Sequence, residues 1–178
     1  MAFDGQKESE SVCLKHCDDL EDICFSPNGQ WLVVGAGNSN VHLWDWANKK
    51  QVAKVKGCCQ SVSGLAHIKL SWSPDSSTFA TRWEKTCKIY NTSGQEVKKF
   101  EQGDSVHATG FNEAGNKLFL ASKKVTNIFN VSSGERIMCI GGAAYDNQWM
   151  QKIIPVWSGD LLLARWDKTV RVWNTAGK

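Results

Sequence analysis

The chain has 178 residues, of which 42% are hydrophobic and 22% charged, so it is long enough to bury the core of one domain. Its 21 basic and 18 acidic side chains leave a net charge of +3, too small to indicate a nucleic-acid partner by itself. No apolar run approaches the roughly 20 residues of a membrane-spanning helix, and the polar residues 1–10 do not have the pattern of a signal peptide.

The seven cysteines are an odd number, and they are scattered through predicted strands apart from the adjacent Cys58 and Cys59. We interpret them as reduced thiols that pack as small apolar side chains, which predicts a reducing, cytoplasmic location. Cys13, His16 and Cys17 are close in sequence, but a structural zinc needs four ligands and no second pair follows at a suitable spacing. The sequence therefore predicts no metal site and no cofactor.

Residues 1–10 are predicted to form a flexible tail, and the rest of the chain is predicted to form short strands. The strand at 11–15 resembles later strands at 51–55, 96–100 and 136–140. Between them the chain repeats one order of elements: an apolar strand, a turn, a second apolar strand, and a third strand with an aromatic residue near its end. The remaining predicted strands are 20–25, 31–35, 41–44, 70–72, 78–81, 87–90, 108–111, 117–121, 125–129, 153–157, 161–164 and 170–173.

The repetition is clearest in a thirteen-residue stretch that occurs at 82–94 and again at 165–177. Arg, Trp, Lys, Thr, Asn, Thr and Gly recur at matching positions. The second copy begins 83 residues after the first, which is twice a period of roughly 40–45. Fainter copies lie at 41–45 and 126–130. The aromatic residues of the four copies are Trp44, Tyr90, Phe129 and Trp173.

A period of this length is similar to that of WD40 β-propellers, and the resemblance covers residues 11–177. It implies an all-β propeller of about four blades, each a small antiparallel sheet that packs against its neighbours. The predicted blades are about 18–57, 62–103, 105–142 and 148–178. WD40 blades often carry a hydrogen-bonded network of His, Ser or Thr, Asp and Trp, which this chain matches only in part. The residues predicted to anchor the blades are His16, Trp44, Tyr90, Phe129, Asp167 and Trp173.

The fourth predicted blade lacks an outer strand, whereas the strand at 11–15 is an outer strand without a blade before it. Bare sheet edges promote aggregation, so the missing pairing must be supplied. Three arrangements are open: four blades closed into a small ring, a homodimer that completes one larger ring, or a partial propeller within a longer protein.

Residues 150–165 are also similar to a blade of eukaryotic translation initiation factor 2A, with Met-Gln, a gap, Pro-x-Trp-Ser, an acidic turn and then Ala-Arg. Residues 71–75 and 80–82 have a similar form. This resemblance implies binding of the small ribosomal subunit and initiator tRNA, or of their partners, during translation initiation.

The pairs Arg82-Trp83 and Arg165-Trp166 are the candidate contacts for a protein or RNA partner. Trp and Arg are enriched at interface hot spots, and both stack on unpaired bases. In the alternative interpretation each Trp packs between blades while the stem of its Arg covers it. No nucleophile motif accompanies the histidines, so the sequence predicts no catalytic residues and no enzyme activity.

These features predict a non-enzymatic WD40 scaffold for protein–protein or ribonucleoprotein assembly, with translation initiation as the sharper hypothesis. The alternative is a scaffold subunit of a cytosolic complex that makes no RNA contact. Salt-sensitive binding of tRNA or of ribosomal subunits would separate the two hypotheses.

Overall fold

The computed structural model describes residues 19–37, 39–56, 68–122, 124–141, 156–166 and 169–176, with the backbone alone for residues 164–166 and 169. The predicted tail, the predicted strand at 11–15, His16 and Asp167 lie outside the described residues. In this part of the chain no helix has the length and apolar character needed to cross a membrane.

The described residues form four antiparallel sheets, and neighbouring strands in each sheet follow one another in the sequence. The first sheet contains Leu20–Phe25 (β1), Trp31–Ala36 (β2), Val41–Asp45 (β3) and Lys50–Val55 (β4). The second contains Lys69–Trp72 (β5), Thr78–Trp83 (β6), Thr86–Asn91 (β7) and Glu96–Glu101 (β8). The third contains Ala108–Phe111 (β9), Lys117–Ala121 (β10), Val125–Asn130 (β11) and Arg136–Gly141 (β12). Within the described residues the fourth contains Val156–Ser158 (β13), Leu161–Trp166 (β14) and Thr169–Asn174 (β15).

One polar side chain holds the turn between the first two strands of each four-stranded sheet. The hydrogen bonds run from Trp31 N to Ser26 Oγ (2.9 Å), from Thr78 N to Ser73 Oγ (3.0 Å) and from Lys117 N to Asn112 Oδ1 (2.8 Å). The fourth residue of each turn has a positive φ, which glycine adopts without steric cost at Gly29 and Gly115. Ser76 has the same conformation, and its hydroxyl accepts a hydrogen bond from Asn28 N of the first sheet at 3.1 Å.

The four aromatic anchors occupy the same register position in their sheets. They pair across the second and third strands as Leu32 with Trp44, Phe79 with Tyr90, Leu118 with Phe129 and Leu162 with Trp173. In the three four-stranded sheets, the pairing of the third strand with the fourth shifts register directly before the aromatic residue. The four sheets are therefore copies of one design, which confirms the predicted all-β repeat architecture.

Three hydrophobic clusters form the core, and each lies between two successive sheets. The first joins Val33, Val41 and Leu43 to Trp72, Phe79, Trp83 and Tyr90. The second joins Ala80, Cys87 and Ile89 to Leu118, Leu120 and Phe129, and the third joins Phe119, Ala121 and Ile128 to Leu162. Full burial of one such aliphatic side chain contributes about 1.5–3 kcal/mol, so stacking of the sheets is the main source of stability. The second and third sheets each pack one face on the preceding sheet and the other face on the following one.

Candidate interaction surfaces

The two predicted Arg-Trp pairs lie at the same place in their sheets. Arg82 and Trp83 end β6, and Arg165 and Trp166 end β14 at the corresponding register. The Trp83 side chain is 8% exposed and belongs to the core cluster between the first and second sheets. Trp83 therefore packs between sheets in this structure, and Arg82 is the member of its pair that a partner can reach.

The Arg82 guanidinium lies where the first three sheets meet. Its Nη1 donates a hydrogen bond to Val106 O, 2.8 Å away in the connection that leads into the third sheet. Burial lowers the pKa of Arg82, and the nearby negative charge, first that of Asp22 on β1, opposes this shift. Arg82 Nε is buried and has no hydrogen-bond partner among the described residues. Arg82 thus links the second sheet to the connection that leads into the third through Nη1, while its Nε makes no hydrogen bond within the described residues.

The carboxylates beside Arg82 hold the inner strand of the second sheet against the first. Glu21 Oε2 accepts a hydrogen bond from Ile68 N at 2.5 Å, and Asp22 Oδ2 accepts one from Leu70 N at 2.9 Å. Asp22 Oδ1 also lies 3.5 Å from Lys69 Nζ. These carboxylates are engaged by main-chain donors. Over the described ranges, no three His, Cys, Asp or Glu side chains are grouped so that they could hold a metal ion.

A recess of about 540 Å³ lies at the end of the inner strands that is opposite to Arg82. Its lining includes Trp72, Trp157, Glu113 and two prolines. Trp72 Nε1 donates to Cys24 O at 3.1 Å, and Trp157 Nε1 donates to Gly110 O at 3.2 Å. Each indole thereby bonds to the main chain of the preceding sheet while its ring lines the recess. The recess is shallow and open to solvent, and its mostly apolar lining suits contact with an apolar side chain of a partner.

A second aromatic group contains Phe25, Trp46 and Lys49 of the first sheet. Lys49 Nζ lies 3.1 Å from the centroid of the Trp46 ring, and Phe25 meets that ring edge-on with 5.2 Å between centroids. Phe25 is 46% exposed, and Lys49 is also exposed. Sequence reasoning missed this group because Trp46 lies in a turn outside the repeated strands. The available signal was a tryptophan next to two lysines in one hairpin, Trp46-Ala-Asn-Lys49-Lys50.

The buried thiol of Cys87 belongs to the core and not to a reactive site. Burial raises the pKa of Cys87 to about 12, so the thiol is protonated at neutral pH. Its Sγ lies 3.7 Å from Thr109 Oγ1 of the third sheet. A protonated, enclosed thiol is a poor nucleophile and a poor metal ligand, and its contribution here is packing.

The sequence pattern of the family described as "WD domain, G-beta repeat" matches residues 8–45 and 49–91. These matches include the first sheet and the first three strands of the second, and the third and fourth sheets repeat the same strand order and register. The chain is a member of the WD40-repeat family. This confirms the resemblance seen in the sequence and identifies the four sheets as propeller blades.

Curated relatives and solved structures match parts of this WD40 chain. It is 35% identical over 85 residues to small ribosomal subunit protein RACK1 of Drosophila melanogaster, covering 45% of this chain and 26% of that protein. It is 33% identical over 64 residues to ribosome biogenesis protein ERB1 of Scheffersomyces stipitis, covering 35% of this chain and 8% of that protein. The structure of U3-55K superposes with a TM-score of 0.71 at 17% identity, over 90% of this chain and 50% of that one.

The chain covers about a quarter or less of these two curated relatives and half of the solved structure. At 17% identity the structural likeness establishes the fold alone. The names of RACK1 and ERB1 place those two proteins in the ribosome and in ribosome biogenesis.

Proposed function

We propose that this WD40 chain is a non-enzymatic scaffold in a ribonucleoprotein assembly, and that it acts in the cytoplasm during translation initiation. Its proposed partners are the small ribosomal subunit or initiator tRNA, together with proteins bound to them. The observation that carries the ribonucleoprotein role is the similarity of part of the chain to RACK1 and ERB1, whose names link both proteins to ribosomes. The narrower role in initiation is supported by the resemblance of residues 150–165 to a blade of initiation factor 2A.

The surface of the first blade supports RNA contact. Phe25 and Trp46 supply aromatic rings, Lys49 Nζ lies over one face of the Trp46 ring, and the exposed Lys50 follows Lys49 in the sequence. Stacking of an unpaired base on an aromatic side chain is worth about 1–3 kcal/mol, and a neighbouring lysine can contact the adjoining phosphate. This group therefore offers both parts of a single-stranded RNA contact on one exposed corner.

The Arg-Trp pairs are the second proposed contact. Because Trp83 is buried, the partly exposed side chain of Arg82 would make the contact in the second blade. Arg165 and Trp166 are proposed to act in the fourth blade at the corresponding register. Replacement of Arg165 by Ala is expected to weaken partner binding without the loss of the Val106 bond that replacement of Arg82 would cause.

A filter-binding titration with initiator tRNA and with small ribosomal subunits tests the proposal. Binding should weaken about tenfold or more between about 50 mM and about 200 mM salt if two or three phosphates are contacted. Trp46→Ala should reduce the affinity by about tenfold, whereas Lys49→Glu should reduce both the affinity and its salt dependence. Lys85→Glu changes an exposed lysine in a turn of another blade and serves as the matched control.

The competing function is a WD40 scaffold subunit without RNA contact. Burial of Trp83 and the Arg82 bond to Val106 favour it, because they show one repeated Arg-Trp pair engaged in packing. The apolar recess beside Trp72 and Trp157 would then receive a peptide from a protein partner. Salt-insensitive or absent RNA binding, with equal behaviour of wild type, Trp46→Ala and Lys85→Glu, would support this function.

A further inference from the structure

The face that each blade turns toward the next blade is apolar, with aliphatic side chains in most of its positions. Neighbouring strands bring two of its residues together in register: Val33 with Leu43, Ala80 with Ile89, Phe119 with Ile128 and, in the fourth blade, Leu163 with Val172. In the first three blades these residues are buried in the three core clusters. Side chains alternate between the two faces of a strand, so equal register means the same face.

The fourth blade carries the same face without a cover. Val172 is 54% exposed and Val170 is 69% exposed. The residues at the register of Val170 in the first two blades, Val41 and Cys87, are fully buried. Val156 and Leu161 of the fourth blade are exposed as well. A contiguous group of exposed aliphatic side chains of this kind marks a site of association.

The chain itself shows what covers such a face. Between the first two blades, the aliphatic residues of one blade pack against Trp72, Phe79 and Tyr90 of the next. The first blade presents the corresponding aromatic face, since Phe25 and Trp44 hold the register positions of Trp72 and Tyr90. Phe25 is 46% exposed, whereas Trp72 and Tyr90 are buried. The two outer blades therefore carry the two halves of an interface that the chain forms three times internally.

We propose that the aliphatic face of the fourth blade docks on the aromatic face of the first blade of a second copy of this chain. The contact is head-to-tail, because different faces meet, and two such contacts satisfy both copies when the rotation closes. Phe25 belongs both to this docking face and to the proposed RNA contact, whereas Val172 belongs to the docking face alone, so substitution of Val172 tests the docking without altering the RNA contact.

Sedimentation velocity of the purified chain over a wide concentration range tests this docking. The wild type is expected to self-associate, and Val172→Asp is expected to weaken association by about tenfold or more, because it would bury a charge in an apolar contact. Val97→Asp is the matched control, since Val97 is exposed to a similar degree on the outer strand β8. It should leave the association unchanged.

A mixing experiment distinguishes the head-to-tail contact from other self-association. Phe25→Asp and Val172→Asp should each lower self-association, yet an equimolar mixture should recover a heterodimer through the one intact pair of faces. Circular dichroism of each variant establishes that it is folded, and both positions are exposed in the single chain. A monomer at every concentration, equal disruption by Val97→Asp, or no recovery on mixing would overturn the inference.

Discussion

Ile89 of the second blade and Val172 of the fourth blade have the same register but different surroundings. Ile89 pairs with Ala80 and Val172 pairs with Leu163 across equivalent strands. Ile89 is 1% exposed because the third blade covers it, whereas Val172 is 54% exposed. Both are β-branched residues that suit a strand equally well. Their difference teaches that the next blade, and not the residue's own sheet, determines how much an aliphatic position stabilises this fold.

The largest effect is expected for the reaction rates of two thiols at equivalent register positions, that of Cys87 and one introduced at Val170. Cys87 is enclosed, with its pKa raised to about 12 by burial, and Val170 is its exposed equivalent in the fourth blade. In Val170→Cys, the introduced thiol should react with iodoacetamide about a thousandfold faster than Cys87 at about pH 8, because thiolate is the reactive form. Peptide mapping by mass spectrometry measures both rates in one sample, at a protein concentration low enough to keep the chain monomeric. Similar rates would mean that the second and third blades separate readily.

Two alanine substitutions, one in each blade, test the same contrast through the free energy of unfolding. Ile89→Ala should lower the free energy of unfolding by about 2–5 kcal/mol, because it leaves a cavity between two blades. Val172→Ala should lower it by less than about 1 kcal/mol in the monomer, because solvent already reaches the side chain. Urea denaturation followed by tryptophan fluorescence gives both values. Equal losses would show that the fourth blade is covered in solution even at low concentration.

A smaller effect is expected for the bond that each indole makes to the preceding blade. Trp72→Phe keeps an aromatic ring and removes the hydrogen bond to Cys24 O, so the free energy of unfolding should fall by about 0.5–1.5 kcal/mol. Trp157→Phe should cost a similar amount, because its bond to Gly110 O is equivalent. Thermal unfolding of both variants measures the difference. A cost at one site alone would mean that the two interfaces are not equivalent.

The smallest effect concerns the turns of the first two blades under acid. Hydrogen bonds from Ser73 and Ser77 lower the pKa of Asp75, whereas the corresponding residue of the first blade is the uncharged Asn28. A lowered folded-state pKa stabilises the protein above the ordinary pKa of the carboxyl group. This contribution is lost as the pH falls through the folded-state value. Asp75→Asn should therefore be slightly less stable than wild type near neutral pH and match it in acid. Unfolding midpoints measured across this pH range would contradict the expectation if the difference stayed constant.

Much of the fold could be predicted because the repeat fixes the order of the strands. The strands predicted at 108–111 and 117–121 coincide with β9 and β10, since each is an apolar run bounded by turn residues. The spacing of aromatic residues also gave four equivalent sheets, and Tyr90 and Phe129 both pack in clusters between blades. Register follows from such a pattern because a slip of one residue would turn every side chain to the wrong face.

The candidate site could be predicted less well, because exposure depends on contacts between blades. A tryptophan beside an arginine suits both packing and binding, and only the position of the first blade shows that Trp83 is buried. The group of Phe25, Trp46 and Lys49 joins a strand end to a turn about twenty residues later, so no short motif contains it. Arg82 likewise meets Val106 across a distance of 24 residues in the sequence.

The bond from each recess tryptophan to the preceding blade has a consequence for how such chains diverge. Its acceptor is a main-chain carbonyl, at Cys24 in one case and Gly110 in the other, so the side chain at the acceptor position is free to change. A duplicated or transplanted blade with its own tryptophan can therefore form this hydrogen bond to a main-chain carbonyl, whatever the side chains of its new neighbour. Blades can thus exchange positions, and their sequences can diverge, while the hydrogen bond between neighbouring blades is kept.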